Sequence, residues 1–383
     1  MESVTVVRTS VQDIANSLAK TFYETATERD RQGGNAKVER ELIRKSGLLK
    51  VLIPEKFGGL GGNWIDVLQI VRTFAKVDSS LAHLYGYHFV NLITPYLCGN
   101  QAQQEFYYRE TAEKNWFWGN AFNPVDIKLY ARKAIDGVYL DGVKTFCSGS
   151  VDSDYLLVSA RLDEQVDPLI AVIPTNREGV IVNNDWDNFG QRQTDSGTIV
   201  FTNVRVKNEE ILQGGYNRDE FSKLRINLGN FVLNHIYLGI AEGALEEAKR
   251  YTKSKTRARS TLYQSAIEDP NIQRHYGEFY VEVEAARLLV EKSNKIFQRL
   301  WDKGKKVTED ERDALDYAVA SAKIYSTKVG LDITSRMFEV MGSRATANEY
   351  GYDRFWRNIR TLSLHVPVDV TIQELGNKVL HEQ

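Results

Sequence analysis

Apolar residues recur at helical spacing along the first hundred positions: Val11, Ile14, Leu18 and Phe22 make one stripe, and Val67, Ile70, Val71 and Phe74 another. The spacing predicts helices joined by short turns over residues 11–110. Gly58, Gly59, Gly61 and Gly62 interrupt it. They follow Leu52-Ile53-Pro54 without the G-x-G-x-x-G spacing of a dinucleotide fingerprint, so a plain loop is expected there. From about Trp116 to Leu212 the chain turns to short β-rich runs split by turn residues. Ala131–Ile135, Asp136-Gly137 and Val138–Leu140 read as a hairpin, and Tyr155–Ala160, Leu169–Ile173, Gly179–Val182 and Thr198–Phe201 as further strands. An antiparallel β-domain is expected, and the lack of βαβ alternation argues against a Rossmann fold.

After Gly214–Gly215 the helical period returns. Ile236, Ile240, Ala244, Ala248 and Tyr251 share one face, and Phe279, Val283, Ala286, Val290 and Phe297 form a second stripe. A third long helix is predicted to start at Thr308, capped through Glu311, and to run through Leu315, Ala318, Ala322, Tyr325 and Val329. The fold class is therefore mainly α with a central β-domain. The expected divisions are helices over 1–115, the β-domain over 116–213 and a helical bundle over 214–383.

Composition narrows the function classes. The 383 residues are 42% hydrophobic, enough for a substantial core, and 49 Lys plus Arg against 51 Asp plus Glu leave a net charge of −2. Neither nucleic acid nor an anionic membrane is an expected partner. Apolar runs such as Leu48–Pro54 fall far short of the roughly 20 residues that span a bilayer. Met1–Ser10 lacks the basic and apolar segments of a secretion signal. Cys98 and Cys147 are too few and too far apart for a disulfide framework or a C-x-x-C site. A cytoplasmic location fits.

No H-E-x-x-H, G-x-S-x-G or G-x-x-x-x-G-K-[ST] occurs, and no His/Cys cluster. His83 and His88, five apart, fall on different helix faces, so no metal site is expected. Polar-aromatic segments stand out instead: Tyr85-Gly86-Tyr87-His88, Asn115–Ala121 with Asn120, Thr145-Phe146-Cys147-Ser148-Gly149, Arg192-Gln193-Thr194-Asp195-Ser196-Gly197 and Asp353–Arg360. Aromatic faces, hydroxyls, amides and arginines suit a planar, polar, phosphorylated cofactor. Singly, each segment reads equally as core aromatics and surface ion pairs.

In order and wording these segments resemble the dibenzothiophene monooxygenase family, the FMNH2-dependent branch of the acyl-CoA dehydrogenase fold, from about Ala26-Thr27-Glu28-Arg29-Asp30 to His365. Gln193–Gly197 and Asp353–Asn358 are the most specific pieces. The resemblance implies an N-terminal helical domain, a middle β-barrel and a C-terminal four-helix bundle, assembled as a homotetramer with flavin between domains and subunits. It further implies that Trp186, Ser196, Asn120 and the Ser148 segment line the flavin, and that Arg257 and Arg344 hold the FMN phosphate. His88, Ser148 and His365 would surround C4a, where O2 adds. The implied activity is oxygenation of a small sulfur-containing or aromatic compound through a C4a-hydroperoxyflavin, with FMNH2 from a separate NAD(P)H:flavin reductase. Histidine suits such a site because it donates a hydrogen bond or relays one proton near neutral pH.

Two alternatives stay open: an acyl-CoA dehydrogenase or oxidase with FAD, using a base such as Asp369, and a catalytically inactive flavin-binding scaffold. Against the first, Arg360 to Ile372 holds only Asp369, and His365-Val366-Pro367 stands where a dehydrogenase carries its Glu. Phe221 to Ala241 holds no acid at all. Leu362 and Val366 depart from the family's second histidine and aspartate, which points to a substrate other than dibenzothiophene.

Overall fold

The computed structural model describes residues 2–135, 137–162, 167–214, 218–258 and 260–381; the turn residue Asp136 and the boundary residue Gly215 lie outside them. Six helices come first: α1 (Glu2–Gln32), α2 (Lys37–Ser46), α3 (Trp64–Ala75), α4 (Ser79–Leu92), α5 (Thr94–Cys98) and α6 (Gln101–Lys114). The stripe Val67, Ile70, Val71 and Phe74 is buried on α3. The glycine run is a plain loop. A Cβ on Gly59 would lie 1.9 Å from the Ile53 carbonyl oxygen, so the close turn back onto residues 51–53 requires glycine there.

Seven strands follow: β1 (Trp118–Ala121), β2 (Leu129–Ala134), β3 (Gly137–Lys144), β4 (Tyr155–Leu162), β5 (Leu169–Pro174), β6 (Val180–Val182) and β7 (Ile199–Val206). They order as β1-β4-β2-β3-β7-β6, with β5 on β4. The predicted hairpin is β2–β3. The antiparallel expectation needs correction, because β4 pairs in parallel with both β1 and β2. The chain crosses over through the β2–β3 hairpin before β4 returns, a connection long enough to bring strands parallel. β1 was not legible as a strand: Trp118-Gly119-Asn120-Ala121 shows no alternation of burial.

The helices of the second half are α7 (Glu220–Lys223), α8 (Arg225–Ser254), α9 (Pro270–Lys303), α10 (Glu309–Met341), α11 (Asp353–Leu362) and α12 (Val368–His381). Thr308 caps α10 with the predicted capping box. The apolar side chains of both helical regions merge into one core, and the β-domain has its own. Gly86 and Gly239 permit this merger. A Cβ at Gly86 would meet Val232 of α8 at 2.4 Å, and one at Gly239 would meet Ala75 of α3 at 2.6 Å. Helix α4 is thereby pressed between α8 and the sheet. Among the described residues no helix is long and apolar enough to cross a membrane.

Candidate active site

The two most specific sequence motifs build a scaffold before they build a site. Arg40 of α2 is fully buried; its guanidinium donates to Asp195 Oδ2 at 2.9 Å and to the Gly149 carbonyl at 2.9 Å. Asp195 in turn accepts from the backbone amides of Gly149 (2.8 Å) and Val151 (3.2 Å). Burial pushes its carboxyl up to about 6, against the pull of Arg40 and those amides, so it stays ionised at neutral pH. The Cys147 amide donates to the Gly197 carbonyl and the Gly149 amide to the Thr194 carbonyl, both at 3.0 Å. The 145–149 and 190–197 loops are thus clamped together. Phe146, Gln191 and Asp195 accept positive φ angles within them.

The segment Asp353–Arg360, on α11, braces the same loops from behind. Asn358 Oδ1 accepts from the Gln191 amide at 2.6 Å, and Arg357 donates to the Phe189 carbonyl at 2.6 Å. Arg357 also pairs with Asp30 and Asp353, and Arg354 is buried with a donation to the Gly351 carbonyl. These arginines are committed within the protein and are not phosphate ligands. Arg29 of the Ala26–Asp30 motif likewise reaches Gln193 Oε1 at 2.8 Å.

The clamped loops present Ser148 and Ser196 to α4. A hydrogen-bond chain runs from His83 Nε2 to Ser148 Oγ (3.2 Å), Ser196 Oγ (2.7 Å), Thr194 Oγ1 (2.7 Å) and the Gln191 carbonyl (2.9 Å). Each hydroxyl has one proton and the carbonyl can only accept, so every hydroxyl donates toward Gln191. His83 must then donate from Nε2, which leaves Nδ1 as a bare lone pair. That buried atom has no protein partner. Burial holds the His83 pKa down to about 3, so its ring is neutral.

Tyr87, one helical turn on, stacks on His83 with ring centroids 4.3 Å apart and planes 4° from parallel. Its hydroxyl lies 3.5 Å from His365 Nε2, and burial pushes its pKa up to about 12. Solvent reaches His365 although protein surrounds it on most sides, as for a side chain lining a cleft. The protein packed around it and the nearby Lys323 charge hold its pKa below the ordinary value.

The structure brings together Ser148, Ser196 and His365, with Trp186 close by: its indole donates to the Gln191 carbonyl at 2.8 Å, and its ring meets Phe146 edge-on at 5.9 Å. Asn120 sits behind, its amide donating to the Ser148 carbonyl at 3.0 Å. His88 is a correction. Its Nε2 donates to the Leu49 carbonyl at 3.0 Å, its Nδ1 accepts from the Trp118 amide at 3.3 Å, and it is fully buried. It is a satisfied core histidine holding β1 to α4, and the histidine of this helix that meets the clamped loops is His83. The five-residue spacing already put the two on different faces, but nothing local told which face meets the loops. Tyr87 was visible only as part of an aromatic run.

Arg257 and Arg344 are also apart from this group. Thr256 Oγ1 donates to the Met341 carbonyl at 3.1 Å, so both arginines emerge, exposed, at one end of the bundle. Tyr87 packs near Gly229 of α8, and the 25 residues from there to Ser254 cover roughly 37 Å at about 1.5 Å per residue. That exceeds the length of FMN.

Among the described residues no carboxylate faces the His83–Tyr87–His365 group. Glu242, the first acid on α8, is held by Arg72, Lys76 and Arg287, and Asp369 is exposed on α12. Stacking surfaces, paired hydroxyls and an unpartnered ring nitrogen fit a flavin ring; a base for removing a substrate α-proton is missing.

The comparisons agree with this chemistry. The acyl-CoA dehydrogenase N-terminal, middle and C-terminal domains match residues 5–115, 121–204 and 232–370. The chain is 45% identical over 375 residues to a protein of Pseudomonas putida named "Probable FMNH2-dependent monooxygenase SfnC", covering 97% of this chain and 94% of that one. Methanesulfinate monooxygenase MsuC from Pseudomonas fluorescens superimposes with a TM-score of 0.95 at 44% identity, over 97% of both chains. FMN-bound TdsC from Paenibacillus sp. A11-2 superimposes with a TM-score of 0.93 at 39% identity, over 97% of this chain and 98% of that one. TdsC is a dibenzothiophene monooxygenase. Three family domains over most of its length and relatives at 39–45% identity place the chain: it belongs to the acyl-CoA dehydrogenase family, in its dibenzothiophene monooxygenase-like, FMNH2-dependent branch.

Proposed function

We propose that the cleft bounded by His83, Tyr87, Ser148, Ser196 and His365 oxygenates a small sulfur-containing compound, with FMNH2 delivered by a separate NAD(P)H:flavin reductase in the cytoplasm. The observation that carries this reading is the cluster of neutral polar groups with no carboxylate among them. When bound, reduced FMN supplies two electrons and the ring carbon at which O2 is activated. The chain's own residues then do three things. Ser148 and Ser196, fixed by the Arg40–Asp195 clamp, would hold the polar edge of the ring, with Trp186 and Phe146 as flanking aromatic surfaces. The Tyr87 hydroxyl as donor and the bare His83 Nδ1 as acceptor, both far from titrating at neutral pH, would hold an oxygen-bearing group without protonating it early. His365, neutral and reached by solvent, is the group placed to move one proton at Nε2 once the oxygen atom has been transferred.

Arg257 and Arg344 would fit the phosphate if a second copy of the chain supplies them, because within one chain roughly 37 Å of α8 runs between the Tyr87 contact and the end where they emerge. A homotetramer in which the copies complete each other's sites accounts for their exposure. The test is oxygen labelling: with 18O2, a flavin reductase and a sulfide or sulfinate, one 18O atom should enter the product. Bleaching of bound FAD by an acyl-CoA, without label in any sulfur product, would overturn the proposal.

A further inference from the structure

A buried cation faces the same cleft. Lys323 lies on α10, seven residues after Asp316 and seven before Gly330, so the three share one helix face. Contacts at both ends fix where that face points. Asp316 accepts from Asn227 of α8 at 2.9 Å and lies 3.6 Å from Lys378 of α12. A Cβ at Gly330 would lie 2.1 Å from Ile359 of α11 and 3.3 Å from the Tyr237 carbonyl of α8. Between them Lys323 looks into the seam between α8 and the α11–α12 turn. The Tyr237 hydroxyl, bonded to the Leu362 carbonyl at 3.0 Å, closes that seam three residues before His365.

Lys323 is only 2% exposed, and no described residue makes a hydrogen bond or ion pair with its ammonium. The carboxylate whose field reaches it, Glu374, is exposed on α12. Burial holds its pKa down to about 8, and its charge is felt at His365. A buried ammonium without a counter-charge is costly, and charged groups in protein interiors are ordinarily paired. The remaining partner is one that enters the cleft.

We propose that Lys323 is a specificity-determining residue that receives the negative charge of the substrate, and that the substrate is a short-chain organosulfur anion, a sulfinate, rather than a neutral thioether or thiophene. The inference rests on the monooxygenase reading above. The reaction balances as a sulfinate taking one oxygen atom from O2 to become a sulfonate, its sulfur losing two electrons. The second oxygen atom leaves as water with the two electrons and two protons of one FMNH2. Lys323 takes no part in bond making; it seats the anionic oxygens so that the sulfur lone pair faces the oxygen donor beside His365.

The test uses an anion and its neutral near-isostere on the intact protein with oxidised FMN present. Titration calorimetry with methanesulfonate and with dimethyl sulfone reads binding without turnover; steady-state assays with methanesulfinate and with dimethyl sulfoxide, plus a flavin reductase, read the reaction. Wild type should bind the anion more tightly than the sulfone. Lys323→Met, which keeps the volume and removes the charge, should weaken methanesulfonate binding and raise the methanesulfinate KM by on the order of tenfold to a hundredfold. It should leave sulfone binding, dimethyl sulfoxide turnover and kcat within a few-fold, and Lys323→Arg should recover most of the loss. Equal loss for anion and neutral ligand, or unchanged anion binding in Lys323→Met, would overturn the assignment. Wild-type protein that oxygenates neither compound while oxidising an acyl-CoA would sink the monooxygenase reading itself, an outcome separable from the other two.

Discussion

The two walls of the cleft handle their polar groups in opposite ways. On the loop wall, Asp195, Arg40, Gly149 and Thr194 are bonded to one another, and Ser148 and Ser196 pass their protons along a closed chain ending at the Gln191 carbonyl. On the helix wall, His83 Nδ1 has no partner, Tyr87 reaches His365 only at 3.5 Å, and Lys323 has no counter-ion within bonding distance. Satisfied groups fix geometry; unsatisfied ones are available to a ligand. Changes on the loop wall should therefore cost stability, and changes on the helix wall should cost activity.

The largest expected effect is on the loop wall. Asp195→Ala leaves buried Arg40 with only Asp152, 3.9 Å away, as counter-charge and frees the Val151 amide, which should destabilise the protein by about 3–5 kcal/mol. Urea denaturation checks this, and a loss under about 1 kcal/mol would mean that the clamp does not organise the loops.

The second prediction pits the two α4 histidines against each other. His83→Phe should lower coupled product formation by roughly a hundredfold, with electrons diverted to H2O2, while stability changes little. His88→Phe should do the reverse: the orphaned Leu49 carbonyl and Trp118 amide cost on the order of 1–3 kcal/mol each, and the folded fraction keeps its coupling ratio. Product-to-peroxide ratios and melting curves on both variants distinguish the walls; matching behaviour would erase the distinction.

Acid sensitivity follows from the same histidines. His83 and His88 are held down to about 3 from an ordinary 6.5, and His235 to about 4. Between those values the unfolded chain binds protons that the folded one does not, so stability should be full above about pH 6.5 and fall as the pH drops toward 3. Urea midpoints measured against pH should show a shallower decline in His88→Phe than in wild type. The smallest effect is expected for Tyr87→Phe, which keeps the stack on His83 and removes only a long hydrogen bond. Product formation should fall by less than about tenfold, with stability unchanged.

Much of the fold could be read from periodicity. The α3 stripe, the α10 capping box and the β2–β3 hairpin formed where alternation and cap residues placed them, because those signals act within a few residues. The parallel partners of β4 could not, since strand pairing depends on a crossover tens of residues long. For the site, the resemblance brought Ser148, Ser196 and His365 forward as residue types in matching motifs, but it named His88 where the cleft holds His83. A helix shows which residues share a face; only the packed loops and sheet decide which face is wet. The linear sequence determined the order of helices, sheet and helices and the lack of a carboxylate at His365-Val366-Pro367, while a flavin site was what the resemblance implied. The tertiary structure alone decided that His88 is a strut, that Arg257 and Arg344 emerge at the far end of α8 from Tyr87, and that Lys323 is left without a partner. Each of those depends on distances between segments far apart in the chain, which no local pattern encodes.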